Sequence, residues 1–208
     1  MGREGTLVMP SWTGNEDEPF DPSSSPASPD LGVVAEAFRR LPGVRRSDHP
    51  FAFAASGPKA AEITADSLPL PPHRPESPVG RVHDLDGRVL LIGVGHDANT
   101  TLHLAELLAG VPYGVRRSCT VRRDGRPVRL WYEENDHCCV RFDLADGWLR
   151  ARELQREGFV GHAQARLVRA RDVVAVALEH LRADPLLFLH PPDHRCAECD
   201  EARRSVGG

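Results

Sequence analysis

Apolar residues in this chain fall into short runs broken by polar, proline and glycine punctuation, a pattern that alternates strands with helices. Residues 6–9 read as a strand that Pro10 ends, and residues 19–29, with four prolines and a run of three serines, as an extended loop. Asp30 is placed to cap a helix running to Leu41, with Val33, Val34, Ala37 and Phe38 facing inward. Residues 51–55 suit a strand and 58–65 a short helix. Residues 68–78 carry five prolines and must form an irregular connection. Further on, Val89, Leu90, Leu91 and Ile92 make residues 88–92 a buried strand, and Gly93 and Gly95 turn the chain sharply. A helix should follow, capped by Asn99, Thr100 and Thr101, built on Leu102, Leu104, Ala105, Leu107, Leu108 and Ala109, and stopped by Gly110 and Pro112. Asp124-Gly125 between residues 118–123 and 127–133 is a strong hairpin signal. Residues 148–157 and 171–182 read as helices, and no internal repeat stands out.

Composition narrows the class. The chain has 208 residues, 40% hydrophobic and 27% charged, enough for one sizeable core or a core plus a small subdomain. A net charge of −4, with no basic stripe, lacks the electrostatic footprint of a nucleic-acid binder. No apolar run approaches the length of a membrane span, and no signal-peptide pattern opens the chain, so a cytoplasmic location is the expectation. Five cysteines, two of them adjacent, fit reduced thiols or metal ligands better than a secreted disulfide framework.

The strand-to-helix corner around residues 93–106 carries the first candidate chemistry. His103 would lie in the first turn of its helix, where the positive end of the helix dipole opposes protonation and keeps a neutral base available. Thr100 and Thr101, at the same helix start, would offer hydroxyl and N–H donors to an oxyanion or a phosphate. The local pattern fits equally well a packed His103 and a His96 that merely shapes the turn. The second candidate lies at the end of the hairpin, in Glu133-Glu134-Asn135-Asp136-His137-Cys138-Cys139. Strand alternation puts Glu134 and Asp136 on one side and Glu133 and His137 on the other. A carboxylate beside an imidazole fixes its tautomer and stabilises the imidazolium, whereas a charge cluster without such a partner simply faces water.

The words GVGHDANTTLHLAE, RSDHPFAFAASGP, LPPHRPESPVGRVHDLDG and YEENDHCC resemble the aminoglycoside 3-N-acetyltransferase family. The likeness runs almost end to end. The TLVMPSWTG opening and the Cys-containing tail are most similar to the type four branch, associated with apramycin, gentamicin and tobramycin resistance. The resemblance implies a family-specific α/β fold, a central mixed sheet flanked by helices, distinct from the common acetyltransferase superfamily fold. It implies a single domain over residues 1–208, with a Cys-containing tail over 190–208, that begins without the family's N-terminal helices and first strand.

It also implies an activity: transfer of an acetyl group from acetyl-coenzyme A to the 3-amino group of a 2-deoxystreptamine ring. Since that amine is an ammonium ion near neutral pH, a base must remove its proton. The resemblance gives that role to His103, with Glu134 as its orienting partner. An aminoglycoside is a polycation, so its pocket should be acidic; Glu16 and Asp17, together with Glu133 and Asp136, are the candidates, although an acidic loop at 15–18 also suits plain solvation. For the coenzyme, the resemblance points to Arg46 and Ser47 near the phosphates and to Met9, Pro10 and Ser11 along the pantetheine arm. The alternative is a noncatalytic family member that binds ligand or zinc only.

The tail offers a separate motif. Cys196 and Cys199 form a Cys-x-x-Cys pair close to His190 and His194, a spacing suited to a structural zinc site that His137, Cys138 or Cys139 could complete. Two reduced, packed thiols are the plainer reading.

Overall fold

A computed structural model describes residues 4–13, 18–51, 53–65, 75–92, 96–113, 115–134 and 142–206. In chain order its elements are β1 (Leu7–Pro10), a 3-10 turn (Pro29–Leu31), α1 (Gly32–Arg39), β2 (Arg45–Arg46), β3 (Phe53–Ser56), α2 (Ala60–Ile63), α3 (Pro78–Asp84), β4 (Arg88–Ile92), α4 (His96–Ala109), β5 (Val115–Arg123), β6 (Arg126–Glu134), α5 (Phe142–Ala151), β7 (Gln155–Val160), β8 (Ala163–Arg169), α6 (Ala170–Ala183) and α7 (Ala197–Val206). These form two compact units, one of residues 1–81 and 116–133, the other of residues 82–115 and 134–208. The α/β class read from the sequence holds. Where the resemblance implied one central mixed sheet, the described strands instead form three sheets, ordered β1-β3-β2, β4-β8-β7 and β5-β6.

In the first unit β3 is the middle strand, antiparallel to β1 from Leu7↔Ser56 to Pro10↔Phe53 and to β2 through Arg46↔Ala54. Ala54 and Ala55 are completely buried, small side chains that let α1 and α2 pack close to the strand. The β5-β6 hairpin closes through Asp124 (φ 50°) and Gly125 (φ 75°), the left-handed pair that a two-residue type I′ turn requires. Phe20 is pinned to this hairpin by Phe20 N–H donating to Thr120 O (2.8 Å) and Arg122 N–H donating to Phe20 O (2.6 Å). Its ring joins Cys119 and Val121 in a core flanked by Phe51, Val128 and Leu130.

Helix α1 departs from the sequence expectation. Its cap is Ser28, whose Oγ accepts from Asp30 N–H at 3.3 Å, and it buries Ala35 and Phe38 while Val33 and Val34 are 84% and 63% exposed. Ala37 is exposed as well. The rotation follows from Glu36, which accepts from Ala27 N–H (2.8 Å) and pairs with Arg39 (2.6 Å) and Arg40. With Glu36 and Arg39 held against the loop, the face through Ala35 and Phe38 turns inward and Val33 and Ala37 fall on the far side.

In the second unit β8 is central, antiparallel to β4 from Arg88↔Arg169 to Ile92↔Ala165 and to β7 from Gln155↔Val168 to Val160↔Ala163. Helix α4 packs on α6, β4 and α5, so Leu102, Leu104, Ala105, Leu149, Val173, Ala177 and Leu181 make a continuous apolar interior. The helix expected over 148–157 lies earlier. Residues 142–151 form α5, Glu153 (φ 56°) turns the chain, and residues 155–160 are a strand. The charged stretch from Arg152 to Glu157 has helix-forming residue types, but it serves as an exposed edge strand paired with β8. Among the described residues no helix is long and apolar enough to cross a membrane.

Candidate active site

Helix α4 begins at His96, before the residues expected to cap it. His103 therefore lies two turns into the helix rather than in its first turn, and the dipole argument for its neutrality does not apply. Thr100 and Thr101 are buried inside the helix, and their N–H groups fall within its hydrogen-bond ladder instead of pointing out from its start. Only their hydroxyls are available for other chemistry.

What governs His103 is local. Its Nδ1 lies 2.8 Å from Oε2 of Glu106, three residues on and on the same helix face. Glu106 is completely buried, and its other oxygen, Oε1, accepts from the Tyr113 hydroxyl at 2.7 Å. A carboxylate taken out of water is costly unless donors meet it, and here a donor meets each oxygen. Burial first, then the Glu106 charge and hydrogen bond, push the Tyr113 phenol far above its ordinary range, so it is a fixed donor. Tyr113 reaches back because the helix ends in a Schellman turn. Gly110 (φ 69°) donates to Leu107 O (3.1 Å) and Val111 to Glu106 O (3.2 Å), reversing the chain beside Glu106.

With Nδ1–H donated to Glu106, the neutral imidazole carries its lone pair on Nε2, and the buried carboxylate is in place to stabilise the imidazolium that forms once Nε2 takes a proton. Sequence reasoning passed over Glu106. Its signal was a His-x-x-Glu spacing with a lone charge in an otherwise apolar helix segment. Glu133 and Glu134 are the last residues of β6, and nothing beyond that backbone position is described for them. Glu16, Asp17, Asp136, His137, Cys138 and Cys139 lie outside the described residues.

The residues assigned to the coenzyme come together in the first unit. Met9 and Pro10 end β1, and Ser11 follows, wholly buried, with an Oγ that has no hydrogen-bond partner. Arg46, on β2, sends Nε to Ser11 O at 3.0 Å, Nη2 to the same oxygen and Nη1 to Ser25 O, and its guanidinium lies 4.8 Å from the centre of the Phe20 ring. Burial pushes this guanidinium down to about 10, still charged at neutral pH. Ser47 is also buried, its Oγ accepting from Phe53 N–H at 3.0 Å. Arg46 and Ser47 thus bind the protein's own backbone. In the second unit Cys196 and Cys199 meet His190.

The fold and site define a mixed α/β protein with a histidine base held by a buried carboxylate. A profile of the aminoglycoside 3-N-acetyltransferase family matches residues 1–182. The chain is 68% identical over 193 residues to aminoglycoside N(3)-acetyltransferase IV of Salmonella sp, covering 93% of this chain and 74% of the relative. It superposes with a TM-score of 0.91 and 67% identity on a crystal structure of the aminoglycoside acetyltransferase AAC(3)-IVa, a His-to-Ala variant in complex with a gentamicin, covering 98% of this chain and 79% of the other; the same variant was also solved with apramycin. A more distant structure, AAC-IIIb with CoASH, aligns with a TM-score of 0.78 at 27% identity, over 88% of this chain and 79% of the other. The chain belongs to the aminoglycoside 3-N-acetyltransferase family, in its type IV branch, and its enzyme class is that of a transferase that acetylates the 3-amino group of aminoglycosides and so confers resistance to them.

Proposed function

We propose that this chain transfers the acetyl group of acetyl-coenzyme A to the 3-amino group of the 2-deoxystreptamine ring in gentamicin- and apramycin-type drugs, with His103 as general base. The observation that carries the reading is the contact of His103 Nδ1 with the buried carboxylate of Glu106. His103 Nε2 takes the proton from the substrate ammonium as the amine nitrogen attacks the thioester carbon; the carbon–sulfur bond breaks, and the coenzyme leaves as its thiolate, which takes up a proton. Glu106 orients the ring and balances the imidazolium, and Tyr113 keeps Glu106 in place. Relatives of this branch crystallised with a gentamicin and with apramycin in a His-to-Ala variant support a histidine in this role.

Glu16, Asp17, Glu133, Glu134 and Asp136 are the proposed carboxylates for the drug's other ammonium groups. Ser11, with its buried and unpartnered hydroxyl, fits a donor to a pantetheine amide carbonyl, and Met9 and Pro10 fit the apolar arm beside it. The hydroxyls of Thr100 and Thr101 are proposed to steady the developing oxyanion. A cytoplasmic site of action matches a reaction that consumes acetyl-coenzyme A. The test is thiol release from acetyl-coenzyme A with gentamicin or apramycin. Drug-dependent release that His103→Ala abolishes is expected; release at the wild-type rate by that variant, or none from the wild type, would overturn the reading.

A further inference from the structure

The last part of the chain holds a cluster that the transfer chemistry does not use. Nδ1 of His190 and the Sγ atoms of Cys196 and Cys199 all lie within 4.8 Å of one another. We infer that these three side chains are ligands of a structural zinc ion, which ties the segment after α6 to helix α7 and braces the wall that holds Tyr113.

Three observations carry this. The first is spacing. The Cys199 Sγ to His190 Nδ1 separation is 3.7 Å, and a tetrahedral zinc with Zn–S of about 2.3 Å and Zn–N of about 2.0–2.1 Å sets that edge at roughly 3.6 Å. Ordinary apolar packing has no reason to bring a ring nitrogen to this distance with its lone-pair edge toward two sulfurs.

The second is the state the sulfurs are prepared for. Cys196 immediately precedes α7 and Cys199 lies in its first turn, where the helix start favours thiolate over thiol. The backbone N–H of His190 donates to Cys199 Sγ at 3.4 Å. A ligand's own backbone donating to a coordinated sulfur is the outer-shell support that lowers thiolate basicity in metal sites.

The third is placement. Cys196 and Cys199 are 7% and 0% exposed and pack with Tyr113, Leu189 and Ala202 in one cluster, with Val111 and Leu186 against it. Helix α7 has little else to hold it, because its remaining surface is mostly polar and exposed. The exposed His194 stacks its ring 3.9 Å from that of His190, beside the open side of the site. Two metal-bound thiolates carry less uncompensated charge behind Tyr113 than two bare ones, so the ion suits the Tyr113–Glu106 contact on the other side of the wall.

The experiment uses the full chain made without an affinity tag and purified without chelator. Elemental analysis should find about one zinc per chain. Removal by 1,10-phenanthroline should lower Tm by more than about 5 °C, and cobalt should then bind with the d–d bands of a tetrahedral site and thiolate-to-cobalt charge transfer. Cys196→Ser, Cys199→Ser and His190→Ala should each retain less than about a tenth of the zinc. Wild-type protein with less than about a tenth of an equivalent of zinc and no cobalt spectrum would overturn the inference. So would a Cys196–Cys199 disulfide in freshly purified protein, or full zinc content in all three variants. The cobalt arm needs only the wild type, so variants that fail to fold leave the inference testable.

Discussion

The Tyr113 hydroxyl and the Glu106 carboxylate stand 2.7 Å apart, both withdrawn from solvent, at the point where the chain leaves α4 and doubles back. This contact makes Glu106 a fixed anchor for His103 rather than a side chain able to turn away. It also ties the candidate base to the helix terminus, since the Schellman turn that closes α4 uses the carbonyl of Glu106 itself.

If His103 and Glu106 act as one unit, their substitutions should not add. We expect His103→Ala to lower kcat by on the order of 10²–10⁴-fold and Glu106→Gln by on the order of 10²-fold or more, the range for a general base and its orienter. The double variant should be no slower than His103→Ala alone. Steady-state kinetics of the four proteins settles it; additive losses in log kcat would mean that Glu106 acts independently of His103.

Tyr113→Phe removes one donor from a buried carboxylate and leaves its oxygen unmet. The expected penalty is about 1–3 kcal/mol of stability, read as a fall in denaturation midpoint. The loss in kcat should be smaller than for Glu106→Gln, because the Nδ1 contact survives. An unchanged midpoint would show that Tyr113 contributes no net hydrogen bond.

How much of this was legible in the sequence depended on how local the cause was. The Asp124-Gly125 hairpin, strand β4 and helix α6 were readable because turn chemistry and apolar period act within a few residues. The inward face of α1 was not, since a long-range contact decides it: Glu36 reaching back to Ala27. The start of α4 was misplaced because Asn99, Thr100 and Thr101 are good caps that the chain uses as helix interior. His103 stood out by residue type, whereas Glu106 passed for one more helix former. In the tail the Cys-x-x-Cys spacing was plain, yet several histidine and cysteine partners were open until the fold brought His190 to the pair.

His49 should make stability pH-dependent. Its ring is buried, its Nδ1 accepts from Phe51 N–H at 3.0 Å, and burial pushes its pKa from 6.5 down to about 4. With a folded pKa below the unfolded one, the unfolded chain binds more protons between these values, so stability falls as pH drops from about 6.5 to about 4, by up to ~3 kcal/mol. Glu36, held down to about 2 chiefly by its hydrogen bond with Arg39, acts in a lower window, its contribution being lost below about 4.5. Urea midpoints across pH 4 to 7 should therefore slope in the wild type and flatten in His49→Gln, whose amide oxygen can still accept from Phe51. Equal slopes in the two proteins would remove His49 as the cause.

Arg46 can be a phosphate ligand or a clamp, and the two roles give different results. Its guanidinium spans Ser11 O and Ser25 O while lying on the Phe20 ring, three attachments that need a planar fork. Lysine keeps the charge but not the fork. As a clamp, Arg46→Lys should lose about 2 kcal/mol of stability from charge-assisted hydrogen bonds left unmade, and the KM for acetyl-coenzyme A should rise with it, because the backbone carrying Ser11 is no longer held. As a phosphate ligand alone, the same variant should raise that KM with the urea midpoint unchanged. We expect the first outcome, since the guanidinium faces the protein's own carbonyls and is largely buried with them. Measuring the midpoint and the coenzyme KM on one preparation of Arg46→Lys separates the two.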